Sequence, residues 1–480
     1  MSRFWTDAAV REALGGARAA GSAPAAEYTG VMTDTRSLGA GALFVALRGE
    51  RFDAHDFLGA AAAAGAAGAV VERIPAGAPS ELTYYVVQDT LVALGQLARH
   101  YRRHLEARVV AVVGSNGKTT TKELTRAALG VRFRVHATKG NLNNLVGVPL
   151  TLLAAPADAE ALVIEAGTNA PGEVARLGEI IEPDAVIVTS IAEEHLEGLG
   201  DLEGVLREET SILESLPPDG VALVVEEPAS LPERARQLAP RVRVVGYGAG
   251  ADPDLCPAEI GVDDEGRARF RWRGQEVHLA LRGRINVLNA LLALGLAEEW
   301  GVPVADAVAG VTQVKASSMR GEVLQYGDLI VIADCYNANP ASLEAAVELL
   351  VSLPRRGGRV AVLGTMRELG PASEELHRRV AGVVAGQELD LIVATGEFAA
   401  AFEEWADGLG DRLIRSEDPV AAYEPLSRRL RGGEVILLKG SRGEALERLL
   451  PHFERDFGGV AGSADAARAV GVVAEQIAGE

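Results

Sequence analysis

A β-branched run, Val109 to Val113, leads straight into Gly114-Ser115-Asn116-Gly117-Lys118-Thr119-Thr120-Thr121. A buried strand, a glycine turn and a helix start in that order constrain the fold more than any other stretch of the chain. They predict a parallel α/β unit whose loop turns backbone N–H groups and a helix N-terminus toward an anion. Lys118 would neutralise terminal phosphates, and the Thr119 hydroxyl would sit on Mg²⁺. The full pattern G-x-x-x-x-G-K-[ST] is one glycine short, because its first position falls on Val112. A simple glycine turn would not need Lys-Thr-Thr-Thr directly after it. Gly114, Ser115, Asn116, Gly117, Lys118, Thr119 and Thr120 are therefore read as a nucleotide-phosphate site.

Lysine usage supports this. Lys and Arg together number 47, of which only Lys118, Lys122, Lys139, Lys315 and Lys439 are lysine. A chain so biased toward arginine keeps a compact ammonium mainly where a planar fork will not serve. The formal net charge of −20 places general nucleic-acid binding far down the list. It does not count against an anionic small molecule, for which a local cluster of donors suffices. Two cysteines, Cys256 and Cys335, cannot make a disulfide framework, and no apolar run reaches the roughly twenty residues of a membrane span. A reduced, cytoplasmic protein without a signal core or membrane span is the expectation, with no structural zinc site.

The 480 residues are enough for about three domains at roughly 100–200 residues each. Boundaries are expected near 107 and 313, giving segments 1–107, 108–312 and 313–480. The first mixes short strands with helix. Gly59 to Val71 reads as an Ala-rich helix, Ala42 to Ala46 as a strand after the turn cluster Asp34-Thr35-Arg36-Ser37, and Leu91 to Leu105 as an amphipathic helix. The second carries buried-strand runs at Leu162–Ile164, Ala185–Val188, Val221–Val225 and Val242–Val245. Runs apolar on both faces and separated by helix-length segments indicate a parallel sheet covered on both sides. Ala268–Trp272 and Glu276–Leu281 read as an antiparallel pair, and Asn286 to Trp300 as a helix. The third repeats the alternation at Leu329–Ala333, Arg359–Leu363, Leu391–Ala394 and Val435–Leu438, a Rossmann-like layout. From Gly458 the tail ends in a possible helix. No coiled-coil heptads occur, and a monomer is expected.

A phosphate loop needs an acid at a neighbouring strand end to hold its metal. Leu162-Val163-Ile164-Glu165 supplies one, so Glu165 is the expected ligand. The next strand runs into Glu193-Glu194-His195, which brings His195 to the same sheet edge, where ligands gather.

Together these segments resemble the Mur ligase family, the ATP-dependent amide-forming enzymes of peptidoglycan synthesis. The strings that carry the resemblance are Thr33 to Ser37 with Leu43 to Arg51, Gly114 to Glu123, Lys139 to Asn144 with Gly147, Pro149 and Thr151, and Glu165 to Gly167 with Gly172 and Glu173. They continue in His195-Leu196, Asp334 to Pro340, Val362 to Gly364 with Met366, Glu368 to Gly370, and Lys439 to Arg442. The Asn-rich loop and the Met366–Gly370 segment favour the members that add D-alanyl-D-alanine to UDP-N-acetylmuramoyl-tripeptide. The resemblance implies three domains: one for the UDP end of the substrate, a central ATPase, and a Rossmann-like third that brings in the amine and closes over ATP. It implies that Lys118, Glu165 and His195 serve catalysis, and that Thr119, Glu165 and His195 hold Mg²⁺. Asn289 and Tyr336 would pack around adenine, Asp334 would hold the ribose, and Arg320 would reach the phosphates. Asn141, Asn143 and Asn144 would line the muramoyl-nucleotide path, and Thr35, Arg36 and Ser37 the UDP end. Met366 to Gly370 would shape the dipeptide site or be a plain loop.

The sequence departs from the family at one chemical position. A carbamylated lysine usually follows the histidine and helps hold a second Mg²⁺. Here the segment Gly204-Val205-Leu206-Arg207-Glu208-Glu209 puts Glu209 at its place, and arginine cannot substitute because it stays protonated. Glu209 is expected to supply the carboxylate directly, with a bridging water where its shorter reach requires one; otherwise it is a solvated helix residue. Thr365 also stands where an acid is common, and Ile285 where a histidine is common. Two other readings stay open: a ligase of the superfamily with a different amine, and a non-catalytic ATP-binding paralogue.

Overall fold

The computed structural model describes residues 4–21, 27–49, 52–354 and 357–458. The expected tail helix falls outside these residues, as do Glu50 and Arg51. The architecture is α/β, organised around three large sheets and one small one. The first sheet runs Arg18–Gly21, Thr83–Val86, Gly68–Val71, Leu43–Val45, Val31–Met32, with only the Arg18–Gly21 edge antiparallel. Residues 59–71 are not one helix. Helix Leu58–Ala63 stops before Gly65 (φ +95), and Gly68–Val71 forms a fully buried strand. Glycine in the left-handed region ends the helix, and the β-branched Val70 and Val71 then favour extended backbone. Composition alone had hidden this turn inside an alanine run.

The second sheet carries the phosphate loop. Its order is Val242–Val245, Val221–Val225, Ala185–Val188, Arg108–Val113, Ala161–Glu165, Val135–Ala137, and all pairs are parallel. Val109 to Val113 sit at its centre with no exposed surface. Burying each such side chain stabilises by about 1.5–3 kcal/mol, which anchors the strand whose end must be rigid. Strands Arg108–Val113, Ala161–Glu165 and Ala185–Val188 all terminate at the same edge, so Gly114, Glu165 and Thr189–Ser190 converge there. Beyond this sheet lies an antiparallel three-stranded sheet, Ala258–Val262, Arg267–Trp272, Gln275–Arg282, one strand more than the pair expected. Helix Ile285–Glu299 packs against helix Lys118–Gly130 and brings Asn289 beside the loop.

The third sheet runs Glu322–Tyr326, Leu329–Asp334, Val435–Lys439, Arg359–Leu363, Leu391–Thr395, Leu413–Ser416. Only its first pair is antiparallel. Asp334, Lys439 and Leu363 lie side by side in register at the carboxyl edge. That edge faces the phosphate loop of the second sheet. Among the described residues, no helix is long and apolar enough to cross a membrane.

Candidate active site

Gly117 caps helix Lys118–Gly130 in the left-handed region (φ +85), and Gly114 has φ +116. A Cβ at Gly117 would meet Asn289 Oδ1 at 2.6 Å, and one at Gly114 would meet Thr189 Oγ1 at 2.6 Å. Both glycines are therefore required by conformation and by space. The neighbouring strand end holds the loop open. Ser115 N–H donates to Ser190 O at 2.9 Å, Asn116 N–H to Ser190 Oγ at 2.8 Å, and Ala192 N–H to Ser115 Oγ at 2.8 Å.

Lys118 folds back to donate to Gly114 O and, at 3.3 Å, to Ser115 O. Burial alone would lower its pKa, but the surrounding carboxylates of Glu194, Glu209 and Glu165 hold it above the usual lysine value. The ammonium stays charged, as phosphate binding requires. Thr119 donates to Glu165 Oε1 at 3.2 Å, and Asn143 Nδ2 to the same oxygen at 3.1 Å. Glu165 Oε2 is buried without a hydrogen-bond partner, with the buried Lys122 ammonium 3.6 Å away. Lys122 itself donates to Thr138 O at 2.9 Å, and the Thr138 hydroxyl accepts from Glu165 N–H at 2.9 Å. Lys122 and Glu194 carried no site assignment in the sequence. Lysine scarcity marked the first, and nothing but adjacency to His195 marked the second.

Glu209 is not a solvated helix residue. It is 1% exposed, and its Oε2 accepts from Gly114 N–H at 2.7 Å. Burial pushes its carboxyl up to about 7, against the pull of Lys118 and of the Gly114 hydrogen bond. His195 stands at the head of a short helix with φ 52, and its Nδ1 meets Glu368 of the third domain. Burial works to lower the imidazole pKa, but the Glu368 hydrogen bond and the Glu194 charge raise it overall.

One cavity of about 600 Å³ gathers most of the expected residues: Ser115 to Thr120, Asn141, Asn143, Asn144, Glu165, His195, Asn289, Arg320, Asp334 and Tyr336. On its far wall the Arg320 guanidinium lies over the Tyr336 ring at 4.0 Å from the centroid. Such a cation–π contact orients both planes toward a ring or a phosphate. Asp334 pairs with the buried Lys439 at 3.4 Å, and Lys439 also donates to Asn337 O. Asn116 and Asn339 exchange amide hydrogen bonds at 3.2 and 3.0 Å and tie the phosphate loop to the third sheet. Asn339 also caps helix Pro340–Ser352, a role the sequence string did not single out.

Five expected members lie outside this lining. Gly114 and Glu209 sit behind the loop. Thr35, Arg36 and Ser37 belong to the first sheet's surface, where Arg36 is paired with Asp34 at 2.8 Å and its side chain is 85% exposed. Met366 to Gly370 lines a second cavity of about 770 Å³ together with Glu197, Glu397, Glu417 and Glu444. Thr365 is buried there and accepts from Glu397 N–H at 3.1 Å.

Carboxylate oxygens without hydrogen bonds at Glu165 and Glu194 fit a divalent cation, since a buried polar atom left without one is costly. Among the described residues, no three His, Cys, Asp or Glu side chains form a ready-made cage. Mg²⁺ binds through one or two carboxylates together with phosphate oxygens and water.

A phosphate loop at a parallel-sheet edge, facing a Rossmann-like third domain across a polar cavity, defines a nucleotide-using α/β enzyme. The Mur ligase middle domain matches residues 112–297, the Mur ligase glutamate ligase domain 319–442, and the Mur ligase family catalytic domain 27–102. The chain is 36% identical over 426 residues to UDP-N-acetylmuramoyl-tripeptide–D-alanyl-D-alanine ligase of Bacillus subtilis (strain 168), covering 88% of this chain and 92% of the relative. It is 36% identical over 427 residues to the enzyme of that name from Escherichia coli (strain K12), covering 88% and 92%. The crystal structure I of MurF from Acinetobacter baumannii superposes with TM-score 0.85 at 32% identity, covering 94% of this chain and 99% of that one. MurF ligase from Thermotoga maritima in complex with ADP gives 0.78 at 28% identity, covering 89% and 97%. The chain belongs to the Mur ligase family, and its fold is the three-domain α/β fold of that family.

Proposed function

We propose that this protein joins D-alanyl-D-alanine to UDP-N-acetylmuramoyl-tripeptide at the expense of ATP, in cytoplasmic synthesis of peptidoglycan precursors. What carries the reading is the likeness to relatives of that activity along nearly the whole chain, together with a cavity that unites the phosphate loop and the third domain. Segments 1–107, 108–312 and 313–480 then serve as UDP-substrate, ATPase and amine-bringing domains of a monomer.

The tripeptide carboxylate attacks the γ-phosphorus of ATP, giving an acyl phosphate and ADP. The dipeptide's free amine attacks the acyl carbon, the amide C–N bond forms, and the C–O bond to phosphate breaks after the nitrogen loses a proton. Charge neutralisation and positioning dominate, because two anions must meet. Lys118 and the loop N–H groups hold the β- and γ-phosphates. Thr119 and Glu165 would hold Mg²⁺, and His195 a second ion, with the Glu209 carboxylate close behind the loop; the metal supplies positive charge at the phosphoryl oxygens. Arg320, Tyr336, Asp334 and Asn289 hold the nucleoside and the phosphates. Asn141, Asn143 and Asn144 guide the muramoyl end, and Thr35, Arg36 and Ser37 the uridine diphosphate. We place the dipeptide in the second cavity. Its carboxylates suit an ammonium group, and Arg367, held by Glu444 at 3.0 Å, suits the dipeptide's carboxylate. Closing of the third domain keeps water from the acyl phosphate.

The test mixes enzyme, ATP, Mg²⁺ and UDP-N-acetylmuramoyl-tripeptide with a panel of amines and follows phosphate release. D-alanyl-D-alanine is expected to trigger it. Release with a different amine alone, or with none, overturns the proposal.

A further inference from the structure

Two of the five lysines, Lys122 and Lys439, are almost fully buried, at 1% and 2% exposure, and neither takes part in the proposed reaction. They come from different domains. Lys122 lies about one turn beyond Lys118 on the helix that the phosphate loop opens. Lys439 ends strand Val435–Lys439, inside the third sheet. A buried ammonium is costly unless it is paired and hydrogen-bonded, so its partners show what the site needs it for.

Those partners are of the same two kinds in both domains. Each lysine donates to a backbone carbonyl in the loop after a strand. Lys122 donates to Thr138 O at 2.9 Å, just past Val135–Ala137, and Lys439 to Asn337 O, just past Leu329–Asp334. Each is also ion-paired with an acid that ends a strand: Lys122 with Glu165 Oε2 at 3.6 Å, and Lys439 with Asp334 Oδ2 at 3.4 Å. Lys122 has a third oxygen beside it, Glu123 Oε1 at 3.2 Å. An ammonium turns its three donors toward separate oxygens in a closed space, which a larger planar guanidinium cannot do. This accounts for lysine at both places in a chain that otherwise prefers arginine.

The two carbonyls belong to loops that face substrates. Thr138 opens the loop that carries Asn141, Asn143 and Asn144. Its hydroxyl accepts from Glu165 N–H at 2.9 Å, Asn143 Nδ2 donates to Glu165 Oε1 at 3.1 Å, and Gly167 N–H donates to Asn143 O at 2.8 Å. Lys122 thereby closes a ring of contacts through helix, loop and strand end, and it forms no part of the nucleotide cavity's wall. Asn337 follows Tyr336 directly, so Lys439 ties the Tyr336 loop to Asp334, and it reaches the cavity wall beside them.

We propose that Lys122 and Lys439 are positioning residues, one for each nucleotide substrate. Lys122 sets the Asn-rich loop for the muramoyl nucleotide, and Lys439 sets Asp334 and the Tyr336 loop for the nucleoside of ATP. This rests on the substrate placements proposed above and adds the residues that hold those loops in shape. Each lysine fixes a strand-end acid and the loop beside it together, so the contacting side chains are in place before the ligand arrives and less ordering is left for binding to drive.

The test measures binding to the full-length protein by titration calorimetry in metal-free buffer, first of ADP and then of UDP-N-acetylmuramoyl-tripeptide with ADP saturating. Lys122→Met is expected to bind the UDP substrate roughly tenfold more weakly, the weight of one hydrogen bond to a charged group, and ADP as tightly as wild type. Lys439→Met is expected to show the reverse, with ADP weakened by roughly the same factor. Adding Asp334→Asn to Lys439→Met is expected to weaken ADP no further, because the lysine acts through that acid and its loop. Where a methionine variant does not fold, Lys122→Gln or Lys439→Gln, which keeps a donor for the carbonyl, takes its place with the same expected direction. Unchanged binding, or both ligands weakened alike, overturns the proposal for the lysine concerned and makes it a general structural residue. An additive loss in the double variant makes Lys439 a direct partner of the nucleotide and overturns its positioning role. A wild type that binds ADP but not the UDP substrate overturns the muramoyl reading together with the Lys122 half, and the ADP titrations still decide the Lys439 half.

Discussion

The first and second domains treat their acids in opposite ways. In the first, Asp53 receives Arg73 at 2.8 Å, His55 N–H at 3.0 Å and the His55 ring, and Asp34 receives Arg36. Burial works against the ionised Asp53, but these hydrogen bonds hold its carboxyl well below the usual range. In the second, Glu165 and Glu194 keep oxygens without hydrogen bonds, and Glu209 is pushed up to about 7 by burial. A domain that satisfies its own charges is finished as folded. A domain that leaves carboxylate oxygens without hydrogen bonds would suit the cations that the proposed reaction needs.

The comparison can be broken most severely at Lys118. Lys118→Met is expected to cut phosphate release by about a thousandfold or more, since it removes the fixed charge on the transferring phosphoryl group. A loss under tenfold would place the reaction elsewhere. Glu209→Ala comes next, with a drop of about a hundredfold, because the carboxylate both steadies Gly114 and contributes charge behind the loop. Wild-type turnover is expected to be insensitive to added bicarbonate. A near-normal Glu209→Ala enzyme would remove Glu209 from the machinery. In the first domain the expected effect is smaller and of another kind. Arg36→Ala should raise KM for the UDP substrate by roughly tenfold and leave kcat unchanged, the mark of lost ground-state binding.

The pH dependence of melting sharpens the same contrast. Glu209 keeps its proton when folded at pH values where the unfolded chain, with the ordinary value of 4.5, has lost it. Its contribution to stability therefore falls as pH rises from about 4.5 to about 7, and Glu209→Gln should flatten that slope. Asp53 acts the other way: its contribution is complete above the ordinary aspartate value and is lost as the solution is acidified through its lowered one. Asp53→Asn should weaken the acid-side loss only. Smallest of all, Asn339→Ala removes a helix cap and the tie to Asn116, and should cost about 1 kcal/mol in thermal or denaturant unfolding.

Local rules made much of this legible in the sequence. Continuous β-branched runs located the central strands, and Gly-Lys-Thr after one of them located the loop, because strand propensity and left-handed glycine are properties of neighbouring residues. The same rules failed at residues 59–71, where alanine composition masked a helix, a turn and a strand. They also missed the added strand Ala258–Val262, whose burial pattern is too weak to announce it. Nor could they assign Glu194, Lys122 or Asn339, whose importance rests on partners far along the chain.

From its order of residues alone the chain determined a nucleotide-binding α/β unit and the strand-end acid Glu165, because periodicity and loop chemistry act over a few residues. Tertiary packing alone decided that Glu209 is buried against Gly114, that Glu368 reaches His195 across 173 positions, and that Glu194 is buried beside Lys118 without a hydrogen bond. Desolvation and ion pairing depend on what surrounds a side chain in space. That neighbourhood exists only once three separately wound sheets have met.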